Sequence, residues 1–269
     1  MQAWADEQRR AGCTIGLVPT MGALHEGHLS LVEAARREND RVVVSLFVNP
    51  LQFAPGEDFE RYPRRELADL ALLQEEGVDA VYTPSTEEMY PPNATTRVQV
   101  RQLQDPLERA HRPGHFEGVA TVVLKLFNAA RPHRAYFGQK DAQQAALVTR
   151  MARDLDTGVE VRVLPIVREP DGLAKSSRNQ YLTPEQRRAA TVLHRALKRA
   201  NDLYSKGERD PNTLKKSLEE TLAEEPAAVP DYAELVDPES FLPPGPLAVL
   251  AVRFGSTRLI DNHRLGEPL

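Results

Sequence analysis

Short runs rich in Val alternate with segments of helical periodicity through the first part of the chain. Apolar residues crowd positions 14–18, 42–48 and 78–82, whereas 29–38 and 65–76 repeat their apolar positions every three to four residues. That order reads as βαβαβ, which implies a mainly parallel sheet with right-handed crossovers. Segments 119–130, 143–155 and 159–167 continue the alternation. Periodicity alone lets 119–127 be a strand or a buried helix, and its length favours the helix.

The texture changes after Val167. Thr183-Pro184-Glu185 is an N-cap followed by Pro at the first helical position, and Ala189, Val192, Leu193, Ala196, Leu197, Ala200, Leu203 and Tyr204 make one apolar face at helical spacing. Asp210-Pro211 announces a second helix with Leu214, Leu218 and Leu222 on its face, and strand patterns follow at 232–236, 247–252 and 257–260. Prolines cluster at Pro91-Pro92, 226–230 and 243–246, where loops are expected. The fold class expected is α/β: a Rossmann-like, mainly parallel sheet with helices on both faces over 1–166, then a smaller α+β domain over 167–269.

Composition narrows the function classes. With 269 residues, 41% hydrophobic and 27% charged, the chain can bury sizeable cores, and disorder is excluded. The net charge of −5 supplies no basic field for nucleic acid, although a small anion remains a fitting ligand. Cys13 is the single cysteine, so no internal disulfide and no four-cysteine zinc site can form. The N-terminus lacks a basic segment followed by a long apolar one, and no apolar run is long enough to cross a bilayer. A cytoplasmic protein without membrane or nucleic-acid partners is expected.

Five polar blocks carry candidate chemistry. The first, Met21-Gly22-Ala23-Leu24-His25-Glu26-Gly27-His28, lies between a strand and a helix, where open α/β sheets bind ligands. His25 and His28 are three apart and share a helix face, beside glycines and unpaired helix N–H groups that suit a phosphate chain. On residues alone they also read as solvated polar side chains, or as two zinc ligands awaiting a third. The second block holds Asn49 and Gln52, whose amide suits a hydroxyl plus a carboxylate, and Tyr62 follows ten residues on. The third places His115 before an apolar segment. The fourth runs Gly138-Gln139-Lys140-Asp141 and on to Gln144, with a cation for phosphate oxygens and a carboxylate for ribose or a metal-bound nucleotide. The fifth spans Val167 to Asn179 and contains Lys175-Ser176-Ser177-Arg178, hydroxyls and a planar fork for phosphate. Each of the last four is also readable as an ordinary polar loop.

His25-Glu26-Gly27-His28 resembles the HxGH signature of the nucleotidylyltransferase superfamily, and the string from Pro19 to Leu31, followed by the other four blocks in order, resembles the pantoate–β-alanine ligase family across most of the chain. The resemblance implies ATP-dependent condensation of (R)-pantoate with β-alanine through a pantoyl adenylate, with Mg²⁺, release of AMP and pyrophosphate, and a homodimer. It implies ATP contacts from residues 21–28, Gly138 to Asp141, Val167 through its backbone, and Ser176, Ser177 and Arg178. Gln52 and Gln144 would hold pantoate, with Asn49, Tyr62 and His115 near the substrates. His28 would be the leading imidazole. Lys175, among the ATP-binding candidates, departs from the Met or Leu expected there, an added cation that either strengthens the phosphate contact or points to solvent. The start of the chain is expected to be abbreviated relative to the family. Another HxGH transferase, or a non-catalytic nucleotide-binding protein on the same fold, is the alternative reading.

Overall fold

The runs at 14–18 and 42–48 become inner strands of one parallel sheet because they are apolar on both faces, which suits a strand covered by helices on both sides. The computed structural model describes residues 1–54, 56–104 and 107–269. Its larger sheet comprises β1 (Ile15–Thr20), β2 (Arg41–Leu46), β3 (Ala80–Tyr82), β4 (Arg134–Gly138) and β5 (Glu160–Leu164) in the order β3-β2-β1-β4-β5, with every pair parallel. In the central β1, Ile15, Leu17 and Val18 are fully buried. The order reverses between β1 and β4, the switch point at whose carboxyl edge ligands bind in such sheets.

Helices α1 (Gln2–Arg10), α2 (Glu26–Glu38), α3 (Glu66–Glu75), α4 (Thr86–Met89), α5 (Arg101–Gln104), α6 (Glu108–His111), α7 (His115–Ala130) and α8 (Ala142–Asp154) accompany this sheet. The ambiguous run at 119–127 lies inside α7, a helix that buries His115, Phe116, Val119, Val123 and Phe127. β5 is shorter than the expected 159–167 and lies at the sheet edge, where Glu160 and Arg162 are solvent-facing. The short helices α4 to α6 and the polar α1, which buries only Ala5, are not foretold by apolar periodicity.

The chain divides into two units: Met1–Gly138 with Gln144–Pro165, and Gln139–Gln143 with Ile166–Leu269. The expected cut near 167 assigned the Gln139-Lys140-Asp141 turn to the first part. In the structure that turn groups with the second unit, where its carbonyls meet a side chain of the last strand.

The second unit has an antiparallel sheet of β6 (Val229–Val236), β7 (Leu247–Phe254) and β8 (Thr257–Arg264), in that order, with α9 (Pro184–Ala189), α10 (Val192–Ser205) and α11 (Pro211–Ala223). Leu193, Leu197, Leu218, Leu250 and Phe254 centre its core. Thr183 caps α9, and Asp210 caps α11 by accepting the amides of Asn212 at 3.2 Å and Thr213 at 3.1 Å. The apolar face from Ala189 to Tyr204, read as one helix, is split at Ala190-Thr191, where the amide and hydroxyl of Thr191 both donate to the Arg188 carbonyl, at 3.3 and 2.8 Å, and the chain restarts at Val192. No helix among the described residues is long and apolar enough to cross a membrane.

Candidate active site

β1 ends at Thr20, and the backbone then turns through the left-handed region at Gly22 (φ 82°) and Ala23 (φ 52°). A side chain at Gly22 would meet Asp69, its Cβ 2.9 Å from Oδ2, which together with the positive φ accounts for glycine there. Left-handed backbone is uncommon at alanine and needs support. Asp69, buried on α3, provides it: its carboxylate accepts the amides of Ala23 at 2.8 Å and Leu24 at 2.9 Å.

Two residues further, α2 opens on the histidine pair. His25 is its N-cap, and its Nδ1 accepts the Gly27 amide at 3.1 Å. His28 returns the relation, its Nδ1 accepting the His25 amide at 3.3 Å, and the ring centroids lie 4.1 Å apart. An Nδ1 that accepts a hydrogen bond leaves the ring proton of a neutral imidazole on Nε2. Both rings are therefore set as Nε2–H donors by the local backbone. Gly27 leaves room for this, since a Cβ there would lie 2.9 Å from the His25 ring.

After β2 the chain forms a 3₁₀ turn at Pro50–Gln52 capped by Asn49. The Asn49 amide donates to Gln52 Oε1 and to the Gly118 carbonyl, both at 3.1 Å, and its oxygen accepts from the Leu51 amide at 3.2 Å and the Tyr90 hydroxyl at 2.8 Å. Two donors and two acceptors fill its capacity. Asn49, expected near substrate, thus sits as a scaffold beneath Gln52. Burial pushes the Tyr90 phenol well above its ordinary range, so it stays a donor. Gln52 also donates to Met21 Sδ at 2.9 Å, which leaves one amide hydrogen and one carbonyl lone pair of its inventory.

His115 is also turned inward. Its Nδ1 lies 2.7 Å from the Gln52 backbone oxygen and its Nε2 lies 3.1 Å from Arg112 Nη1. A guanidinium only donates, so Nε2 accepts and Nδ1 carries the proton given to Gln52. Arg112 in turn forms a two-point ion pair with Glu57, at 2.7 and 3.0 Å. Gly118 lets α7 lie directly on this turn, because a Cβ there would collide with the Leu51 backbone. Tyr62 is buried, its ring edge-on to Phe53 at 5.9 Å. Gln144 is half-buried on α8, and Glu26 occupies the first turn of α2.

The second unit holds the remaining candidates. Lys140 Nζ lies 3.8 Å from Asp141 Oδ2 in the turn that follows Gly138. Val167 and Lys175 are joined by the Lys175 amide on the Val167 carbonyl at 2.9 Å, and Arg168 bridges Ala174, so 167–175 is a small hairpin that delivers Ser176. Ser176 caps the turn Ser177–Tyr181 by accepting the Arg178 amide at 3.3 Å. The Lys175 ammonium lies 3.5 Å from the Glu169 carboxylate.

Sequence reasoning did not single out Asp69, Tyr90, Arg112, Asp261 or Asn262. Asp69 sits inside a helical stretch without a motif, Arg112 follows α6 and heads the third block, where His115 is the candidate, and the strand pattern that predicts β8 stops at 260, one residue before the polar pair that proves to be buried.

Residues 1–264 match the family described as pantoate-beta-alanine ligase. A pantothenate synthetase of Roseiflexus castenholzii is 56% identical over 253 residues, covering 92% of this chain and 91% of its own. The crystal structure of the pantothenate synthetase from Thermus thermophilus superposes with a TM-score of 0.92 at 51% identity, covering 97% of both chains. The pantoate-beta-alanine ligase of Francisella tularensis, solved in complex with beta-gamma ATP and beta-alanine, gives 0.81 at 33% identity over 98% of this chain and 95% of its own. By sequence along nearly its whole length, and by fold, the chain belongs to the pantoate-beta-alanine ligase family.

Proposed function

We propose that the protein joins (R)-pantoate to β-alanine in two steps driven by ATP. The pantoate carboxylate attacks the α-phosphorus, the bond to pyrophosphate breaks, and pantoyl adenylate forms. The β-alanine amine then attacks the acyl carbon, AMP leaves with the carboxylate oxygen, and the amine gives up a proton. No protein nucleophile is needed: positioning and stabilisation of growing phosphate charge suffice.

The observation that carries this reading is the paired Nδ1 engagement of His25 and His28, which turns both Nε2–H groups into fixed donors at the opening of α2. We assign these donors, with the loop from Met21 to Leu24, to the α-phosphate and the departing pyrophosphate, His28 foremost. In the second unit, Lys140, Ser176, Ser177 and Arg178 supply charge and hydroxyls for the phosphates, Gly138 to Asp141 line the nucleotide, and the Val167 backbone meets adenine. Gln52 and Gln144 hold pantoate. Asn49 and His115 act through Gln52, Tyr62 closes the pocket wall, and Lys175 acts through Glu169. Among the described residues no group of three or more His, Cys, Asp or Glu side chains gathers as a metal site. Mg²⁺ would come as the nucleotide's own counter-ion and neutralise phosphate charge, and Asp141, 3.8 Å from Lys140, is the carboxylate that could help hold it. The reading carries with it a cytoplasmic location and a homodimer.

Pantoate-dependent exchange between ATP and labelled pyrophosphate tests it, together with AMP release that requires β-alanine. Absence of exchange from the folded protein defeats the reading. Replacing His28 with Ala is expected to lower adenylate formation by about 10²–10³.

A further inference from the structure

The two segments of the second unit that carry cations for the nucleotide are gripped by neighbouring residues of one strand. Asp261 and Asn262 follow each other on β8, so their side chains leave opposite faces of the sheet. Both are buried, at 2% and 4% exposure.

Asp261 takes the Arg168 guanidinium end-on through two bonds, 2.7 and 3.0 Å, and Arg168 also donates to the Gly172 carbonyl at 2.9 Å. This fixes the first arm and the tip of the 167–175 hairpin that leads into Ser176, Ser177 and Arg178. Asn262 directs both amide hydrogens to successive carbonyls, Gln139 at 2.9 Å and Lys140 at 3.0 Å, and its oxygen accepts the Gln139 side chain at 3.1 Å. The backbone of Lys140 is thereby tied to the strand. The Asn262 amide itself donates to Asp261 Oδ1 at 2.8 Å, which joins the two grips.

We infer that Asp261 and Asn262 form a positioning clamp that presets Lys140 and the Ser176-Ser177-Arg178 loop for one phosphate chain. The inference rests on the assignment of those segments to ATP. Neither residue touches the nucleotide. Buried, fully bonded partners on a paired strand are stiffer than a loop, so the cations reach the phosphates with little reorganisation.

Calorimetric titration of ATP with Mg²⁺, alongside steady-state kinetics, tests the clamp. Asn262→Asp preserves shape but turns two donors into acceptors facing carbonyls, and Asp261→Asn removes the paired charge. Each is expected to weaken ATP binding about 10- to 100-fold while the pantoate KM changes little. Leu259→Ala, a core change on the same strand, serves as the control of comparable thermal destabilisation and should leave ATP affinity unaltered. In a Lys140→Ala background, Asn262→Asp should add little, since its effect passes through that residue. Equal ATP losses in Leu259→Ala and Asn262→Asp, full additivity with Lys140→Ala, or unchanged ATP affinity in both clamp variants would overturn the clamp. Failure of the functional reading looks different: the unaltered protein would bind ATP yet show no pantoate-dependent exchange.

Discussion

His115 lies with Nδ1 2.7 Å from the backbone oxygen of Gln52, and Arg112 fixes which nitrogen carries the proton. The imidazole therefore holds the backbone carbonyl of the residue proposed above to bind pantoate. His115→Ala removes the donor and should raise the pantoate KM about tenfold, the equivalent of a bond of about 1.4 kcal/mol, with the ATP KM little changed. His115→Asn retains an amide donor and should recover part of the loss. Steady-state kinetics with each substrate varied in turn decides it, and an effect confined to ATP would show that His115 works elsewhere.

Asp69 supports the left-handed turn at Gly22 and Ala23 from a helix. Asp69→Asn replaces one acceptor by an N–H₂ group facing an amide, and is expected to destabilise the fold by about 1–3 kcal/mol. The ATP-dependent kcat/KM should fall as well, because the turn sets where α2 begins. Denaturant unfolding and kinetics on the same preparation check both parts; a stable variant of ordinary activity would remove Asp69 from this role.

Gly118 is where α7 meets the turn bearing Gln52. Gly118→Ala forces helix and turn apart against a rigid backbone, an overpacking cost of about 1–3 kcal/mol. Ala is intrinsically the better helix former, so propensity alone predicts the opposite sign. The melting temperature separates the two, and a stabilised variant would mean that the turn gives way easily.

Three histidines are expected to make the fold acid-sensitive. Burial holds the imidazoles of His133, His194 and His263 below the ordinary range, with Arg9 and Arg134 adding to the effect at His133 and Arg168 at His194 and His263. In the unfolded chain each titrates near about 6.5. Below that pH the unfolded state binds protons that the folded state does not, so stability falls as pH falls, and it is complete only above about pH 6.5. Unfolding midpoints across about pH 7.5 to 5.5 should decline, and His194→Gln with His263→Gln should flatten the slope. A pH-independent midpoint would contradict it. The depressed carboxyl of Asp171, paired with Arg187, adds a separate loss only near and below the ordinary carboxyl range, about 3.9.

Much of this architecture is readable from the chain because the signals are local. The change of period from strand 14–18 to helix 29–38 marks the β1–α2 crossing, and the two histidines that face together are three residues apart. The residues that hold the site in shape are a different matter. Asp69 serves an amide 46 positions away, and Asn262 serves a turn 123 positions away. Neither has a neighbour in sequence that hints at its partner. Asn49 shows the converse: its block is conspicuous, yet only the packed structure reveals that all four of its hydrogen-bonding positions are taken.

The smaller unit borrows five residues, Gln139–Gln143, from the middle of the chain. A fragment cut at 166 would lack them, and the side-chain bonds that Asn262 makes to Gln139 and Lys140 would have no partner. Trimming at the composition boundary is thus the wrong way to isolate this unit. During synthesis the borrowed turn leaves the ribosome long before β8, so that strand arrives at a partner already made, and the smaller fold can close only once β8 has emerged.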